Sequence, residues 1–200
     1  MRKTIPKTQI RKKLLETGLT LFAKNGYNGT GIKEIVEAVG IPKGSFYNYF
    51  KSKEDFTVEI IGFYSDTLTV HWEALLEKGP TEPLAALRNG FEMIHLHHEQ
   101  SDVRTGCLIG NLAAEISEAS DLCRQKMCDA ATCWKNRIAD LIGRGQSLGT
   151  VRNDIPREDL TEFIWNAWEG ALLNMKIAGS TFPVKECIRI LFDFFLKPLN

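Results

Sequence analysis

The chemistry-bearing residues are densest in one short run, Lys43-Gly44-Ser45-Phe46-Tyr47-Asn48-Tyr49-Phe50. Phe46 and Phe50, at i and i+4, anchor one face of a short helix. Lys43, Ser45, Tyr47, Asn48 and Tyr49 are left facing outward or sideways. That set suits a nucleic-acid duplex. It offers a cation, hydroxyl donors and an amide able to read a base edge. Gly44 carries no side chain, so the start of the segment can approach a duplex closely.

A second group centres on Cys107. Thr105-Gly106-Cys107-Leu108-Ile109-Gly110-Asn111-Leu112 opens a helix and puts Cys107 in its first turn, where the helix dipole lowers a thiol pKa. Asn111 follows one turn on, and Trp72, Trp134, Trp165 and Trp168 are candidate walls of a mostly apolar ligand cavity. The alternative is a buried structural cysteine. Cys123, Cys128 and Cys133 recur every five residues, about 140° apart around a helix, so they do not converge on one ion. His95 and His98 share a face, but no other helix offers a matching pair. No metal and no cofactor is expected. Neither a Gly-x-Ser-x-Gly elbow, a phosphate-cradling loop nor a His-Glu-x-x-His appears, so no enzyme is expected.

Helices must position these groups, since strand signals are nearly absent. The first reads from about Thr8 to Asn25 and ends at Asn25-Gly26 by left-handed chemistry. A short one opens at Thr30 or Gly31 and carries Ile32, Ile35, Val36 and Val39. Gly40-Ile41-Pro42 turns into the run at 43–50, which completes a helix-turn-helix. Ser52-Lys53-Glu54-Asp55 is a capping box starting a helix to about Glu77. Helices follow at about 83–98, 106–118, 121–144, 156–178 and 183–197. The fold class is all-α, with about nine helices: a three-helix head over 1–52 and a helical ligand-binding and dimerisation domain over 53–200.

The 200 residues are 44% apolar and 25% charged, an ordinary globular composition. No stretch is long and apolar enough to span a bilayer. The basic opening Met1-Arg2-Lys3-Thr4-Ile5 has no apolar run behind it, so no signal peptide is expected. Five dispersed cysteines fit a reducing cytoplasm. Net charge is zero, yet residues 1–55 carry eleven Lys/Arg against five Asp/Glu, and the remainder fourteen against twenty. A basic head on an acidic body fits a nucleic-acid-facing module. The last helix is apolar around most of its circumference and the preceding one is similar. Burial on more than one side is expected to make them a four-helix interface of a homodimer, through Leu172, Ile188, Leu191, Phe192 and Phe195; the alternative is an ordinary monomer core.

Thr30-Gly31-Ile32-Lys33-Glu34-Ile35-Val36 and Ile41-Pro42-Lys43-Gly44-Ser45-Phe46-Tyr47-Asn48-Tyr49-Phe50-Lys51-Ser52-Lys53-Glu54 resemble the DNA-binding signature of the TetR family of bacterial repressors. The resemblance implies a dimer on a palindromic double-stranded DNA operator, released by a small-molecule inducer. It implies DNA contacts from Thr30, Gly31, Lys33, Pro42, Lys43, Gly44, Ser45, Tyr47, Asn48, Tyr49 and Lys53, with Lys43 and Gly44 against bases and Ser45, Tyr47, Tyr49 and Lys53 on phosphates. Gly31 stands where the family often has a second threonine, and Tyr49 where it often has histidine. The segment around Cys107, with Glu115, resembles the subgroup that includes the N-ethylmaleimide-responsive reductase repressor, whose matching cysteine senses electrophiles. The alternative is a helical small-molecule carrier or enzyme with a vestigial helix-turn-helix.

Overall fold

A computed structural model describes residues 6–101 and 104–199; the basic opening, residues 1–5, lies outside the described residues. Eight α-helices follow one another: α1 Lys7–Asn25, α2 Ile32–Val39, α3 Lys53–Lys78, α4 Pro83–Gln100, α5 Leu108–Ile116, α6 Asp121–Ser147, α7 Arg157–Ala178 and α8 Phe182–Ile190. A 3-10 segment, Lys43–Asn48, lies between α2 and α3, and a π turn, Leu191–Phe195, follows α8. The described residues contain no strand. No helix among them is long and apolar enough to cross a membrane.

Local chemistry sets most ends. Gly40 sits in the left-handed region (φ 77°, ψ 34°), and the Ile41 N–H closes back onto the Val36 carbonyl, which ends α2 by a Schellman turn. Gly26 shares the positive φ but has ψ 178°, so the expected left-handed cap of α1 is an extended kink that only glycine tolerates. The forward half of the capping box forms, the Asp55 N–H donating to Ser52 Oγ at 3.0 Å, while the return bond shifts by one residue, the Lys51 N–H donating to Asp55 Oδ2 at 2.9 Å. Glu82 caps α4 by accepting from the Leu84 and Ala85 amides, with Pro83 at the first position.

Two expected helices are different in kind. The run at 43–50 is a 3-10 segment over Lys43–Asn48, closed by Ser45 N–H to Pro42 O and Tyr49 N–H to Phe46 O. Gly44, Ser45, Tyr47 and Asn48 are weak helix formers, and so short a segment gains little from an α ladder. The helix expected at 183–197 is α up to Ile190 and then widens. In the π turn Leu196 N–H reaches Leu191 O. In α geometry Leu191 and Leu196 would diverge by about 140°; the wide turn lets Leu191, Phe192 and Leu196 all stay buried.

The chain divides into two compact units. The first comprises Met1–Thr67 with Leu108–Ala130, and the second Leu68–Cys107 with Ala131–Asn200. The first is centred on an aromatic cluster in which Phe56 meets Phe22, Phe46 and Phe50 at centroid distances of 6.0, 5.2 and 4.7 Å. The second has a continuous core of residues from α3, α4, α6, α7, α8 and the π turn. Leu172, Ile188, Leu191 and Phe192 belong to that core, with Phe192 only 2% exposed, and Phe195 packs against it while stacking on Phe163 at 4.4 Å. Leu172, Ile188, Leu191 and Phe192 therefore fill the chain's own interior, while Phe195 is half-buried beside the exposed Phe163. On α7, α8 and the turn after it, the exposed large apolar side chains are Phe163, Leu173, Ile177, Phe182, Ile190 and Phe194.

His98 on α4 is 5% exposed, and its Nδ1 has no hydrogen-bond partner among the described residues. Burial, with His97 and His95 nearby, holds its pKa down at about 4 against an ordinary 6.5. The fold thus favours the neutral ring. Its stabilising effect is complete above pH 6.5 and is lost as pH falls from there toward about 4, a difference of up to about 3 kcal/mol. Thermal melts between pH 4 and 7.5 are expected to show that fall, and His98→Gln to flatten it; an unchanged slope in the variant would refute the assignment.

Candidate nucleic-acid interface and inner thiol site

The 3-10 segment presents its polar residues because Phe46 and Phe50 are held below it. Phe46 meets Phe50 at 5.4 Å and Tyr47 edge-on at 5.5 Å. Pro42, Lys43, Gly44 and Asn48 are exposed, Tyr47 is 54% exposed, and Ser45 and Tyr49 are half-buried. A Cβ at Gly44 would meet nothing within 4 Å, so the open surface expected there exists. Tyr49 also borders α1: Lys7 Nζ lies 5.6 Å from its ring. Gly31 and Lys33 are exposed at the start of α2, where Lys33 pairs loosely with Glu37 at 3.8 Å. Such an exposed pair contributes little and leaves the ammonium available to an anion.

Two residues assigned to DNA lie elsewhere. Thr30 is fully buried, and its hydroxyl donates to the Gly26 carbonyl at 2.9 Å and the Leu21 carbonyl at 3.3 Å. It ties the α1–α2 link together from inside, satisfying carbonyls at the end of α1. Lys53 Nζ donates to the Tyr27 carbonyl at 2.5 Å and lies 4.0 Å from the Tyr27 ring. Burial lowers its pKa, and the Glu115 carboxylate opposes that shift. Its cation is engaged within the fold.

The inner residues are placed as follows. Cys107 immediately precedes α5, because Gly106 takes a φ of +70° and the helix starts at Leu108. Its thiol hydrogen-bonds the carboxyl of Glu169 on α7. Burial pushes the Glu169 carboxyl above the ordinary carboxylate range, and this hydrogen bond opposes the rise. Trp72 and Trp134 pack edge-to-face at 5.5 Å, and Trp168 packs on Phe91 at 4.6 Å. Trp165 lies partly buried against the same core, and Asn111 is half-buried on α5. Three of the four tryptophans are thus core packing; Trp134 keeps a buried Nε1 without a hydrogen-bond partner among the described residues.

Sequence reasoning gave no structural role to two carboxylates that matter here. Glu169 lies within an otherwise nearly uncharged stretch, which is a signal in itself, since such a group is expensive to bury alone. Glu115 accepts from the amides of Tyr27 and Asn28, 88 and 87 residues away in the chain; no local pattern announces that pairing. Cys123 is buried, Cys128 and Cys133 are exposed, and the described residues hold no group of three or more His, Cys, Asp or Glu able to bind a metal ion.

Residues 14–60 match the family described as bacterial regulatory proteins, tetR family, and residues 83–191 match the tetracyclin repressor-like C-terminal domain. The HTH-type transcriptional repressor DhaR of Mycobacterium sp. (strain GP1) is 33% identical over 190 residues, 95% of this chain and 94% of that protein. Among solved structures, the regulatory protein TetR from Rhodobacter sphaeroides is 31% identical with a TM-score of 0.85, over 92% of this chain and 97% of that one. The reduced form of NemR from E. coli gives the same TM-score at 25% identity, over 92% and 96%.

The buried hydroxyl of Thr30 yields a direct test. Thr30→Val keeps the shape and removes the donor, leaving the Gly26 carbonyl short of its partner at a cost of about 1–3 kcal/mol. Urea unfolding should show that loss, while DNA retention by the folded variant, measured by gel shift, stays at the wild-type level. A stable variant that no longer holds DNA would return the hydroxyl to the interface.

Proposed function

This chain belongs to the TetR family of bacterial regulatory proteins, and from that premise we propose that it is a transcriptional repressor. It binds a palindromic operator as a homodimer and lets go when a small molecule or an electrophile engages the helical body. The observation that carries this reading is the exposed polar surface from Pro42 to Tyr49, set on a buried aromatic base within the segment that matches the family. Lys43 and Gly44 approach base edges in the major groove. Ser45, Tyr47 and Tyr49 hold phosphates, with Gly31 and Lys33 flanking them from α2. Asn48 is exposed beside them. The DNA-binding role therefore falls to these residues, without Thr30 or Lys53.

The dimer face is the outer stripe of α7 and α8. Phe163, Asn166, Gly170, Leu173 and Ile177 follow one another at intervals of three and four on the side of α7 away from the core, and Ile177 is 75% exposed. Phe182, Ile190 and Phe194 continue that apolar surface on α8 and beyond. A second copy of the chain, offering the same stripe across a two-fold axis, is the occupant the symmetry favours. For the inducer, Cys107 with the buried carboxyl of Glu169 beside it is the proposed reading point.

Selection of bound duplexes from a random pool tests the whole reading. An enriched inverted repeat supports it; no enrichment, with DNA lost at moderate salt, would favour a helical carrier. Lys43→Ala should relax base preference by about 1–3 kcal/mol, and Tyr47→Phe should weaken specific and non-specific binding alike. Unchanged binding in both would remove the Pro42–Tyr49 surface from the interface.

For assembly, Leu173→Glu should halve the mass seen by light scattering, since it sets a charge in a desolvated contact at a cost of several kcal/mol. Phe192→Ala should leave the protein dimeric while lowering its unfolding free energy by about 3–5 kcal/mol. The reverse pattern would restore Phe192 to the interface.

A further inference from the structure

The link between α1 and α2, residues 26–31, is short, and most of it is half-buried or exposed. It is nevertheless held from several sides. Glu115, in the last turn of α5, accepts the Tyr27 N–H at Oε1 (3.1 Å) and the Asn28 N–H at Oε2 (2.8 Å). One carboxylate thus bridges two successive backbone donors, both charge-assisted. Gly26 leaves the space for it, because a Cβ there would collide with the Glu115 carboxylate. The Tyr27 carbonyl in turn accepts from Lys53 Nζ, whose charge feels the Glu115 carboxylate. At the far end of the α5–α6 corner, the Ser120 hydroxyl donates to the Glu54 carboxylate and accepts the Cys123 N–H at 3.1 Å. Two acidic contacts therefore fasten this corner, one to the α1–α2 link and one to the first turn of α3. From the link, Thr30 ties inward to Gly26, and α2 leads directly to the 3-10 segment.

We propose that Glu115 is a positioning residue for DNA binding: by gripping the Tyr27 and Asn28 amides it sets the orientation of α2 and of Lys43–Asn48, so that the seating of α5 governs operator affinity. The inference rests on the reading of Lys43–Asn48 as the DNA-contacting segment. It adds a coupling element that contacts no DNA. Because coupling free energies are reciprocal, DNA binding must in turn steady the Glu115 contact. Electrostatics alone argues for the opposite result, since removing an anion near a basic head raises affinity for a polyanion. A loss of affinity on removing Glu115 is therefore a positioning effect.

The experiment uses the full chain, the duplex recovered by selection and a scrambled duplex of equal length. Glu115→Ala and Glu115→Gln are compared with wild type, Lys43→Ala serving as control. Glu115→Ala is expected to lose about tenfold in affinity for the selected duplex, with affinity for the scrambled duplex unchanged or higher. Glu115→Gln, which keeps one side-chain acceptor, should fall between and remains informative should the alanine variant fold poorly. Hydrogen exchange at the Tyr27 and Asn28 amides should be slow in wild type, slower with the selected duplex, and fast in both variants. Well-folded Glu115 variants with wild-type affinity for the selected duplex overturn the inference. So does a loss shared equally by both duplexes, which signals a smaller folded fraction. If Lys43→Ala also leaves binding intact, it is the DNA-contacting segment that has been misassigned.

Discussion

Phe56 is the point on which the first unit turns. Its ring, in the first turn of α3, meets Phe22 of α1 and both anchors of the 3-10 segment, each at a steep interplanar angle. Edge-to-face packing of this kind adds directionality to burial. The direction matters because a six-residue 3-10 segment has too few backbone bonds to hold its own shape. Tyr47 and Lys43 point outward only because Phe46 and Phe50 cannot. The exposed chemistry of the head is the remainder left once the aromatic base is packed.

Three carboxylates of this unit show a matching economy, whereas Glu16, Glu37 and Glu59 pair with Lys12, Lys33 and Arg11. Asp55 accepts from the Lys51 amide, Glu115 from those of Tyr27 and Asn28, and Glu54 from the Ser120 hydroxyl. All three satisfy neutral donors instead of neutralising Lys43. These three thus stabilise the head through neutral donors and leave Lys43 free to draw a polyanion. The excess of Lys/Arg over residues 1–55 is consistent with that separation of tasks.

Sequence patterns carried the helices and their ends wherever a local rule governs: Gly40 after α2, Pro83 at the start of α4, Ser52 and Asp55 around the start of α3. They also located the exposed polar run, since the Phe46–Phe50 spacing fixes which residues remain. They failed where the deciding partner is distant. Thr30 and Lys53 have the right types for phosphate contacts, but type does not reveal that carbonyls of Leu21, Gly26 and Tyr27 already claim them. The last helix is apolar on most sides, so periodicity alone does not say which side faces inward; Phe192, expected at a subunit face, is buried, while Ile190 is left exposed. Glu115 has no local signature because its donors lie some ninety residues back.

The π turn after α8 has an evolutionary corollary. An i→i+5 turn holds one residue more than an α turn, and here the surplus residue lets Leu191 and Leu196 share a side while Arg152 captures the Phe195 and Leu196 carbonyls through Nη1 and its own N–H. Deleting one position between 191 and 195 and closing the turn to α geometry would set Leu191 and Leu196 four residues and about 40° apart, still on one side. The surplus residue widens the turn without changing which side the residues beyond it face. Losing one codon there is thus a smaller change to the packing than gaining one, which in α geometry would set the two leucines about 120° apart.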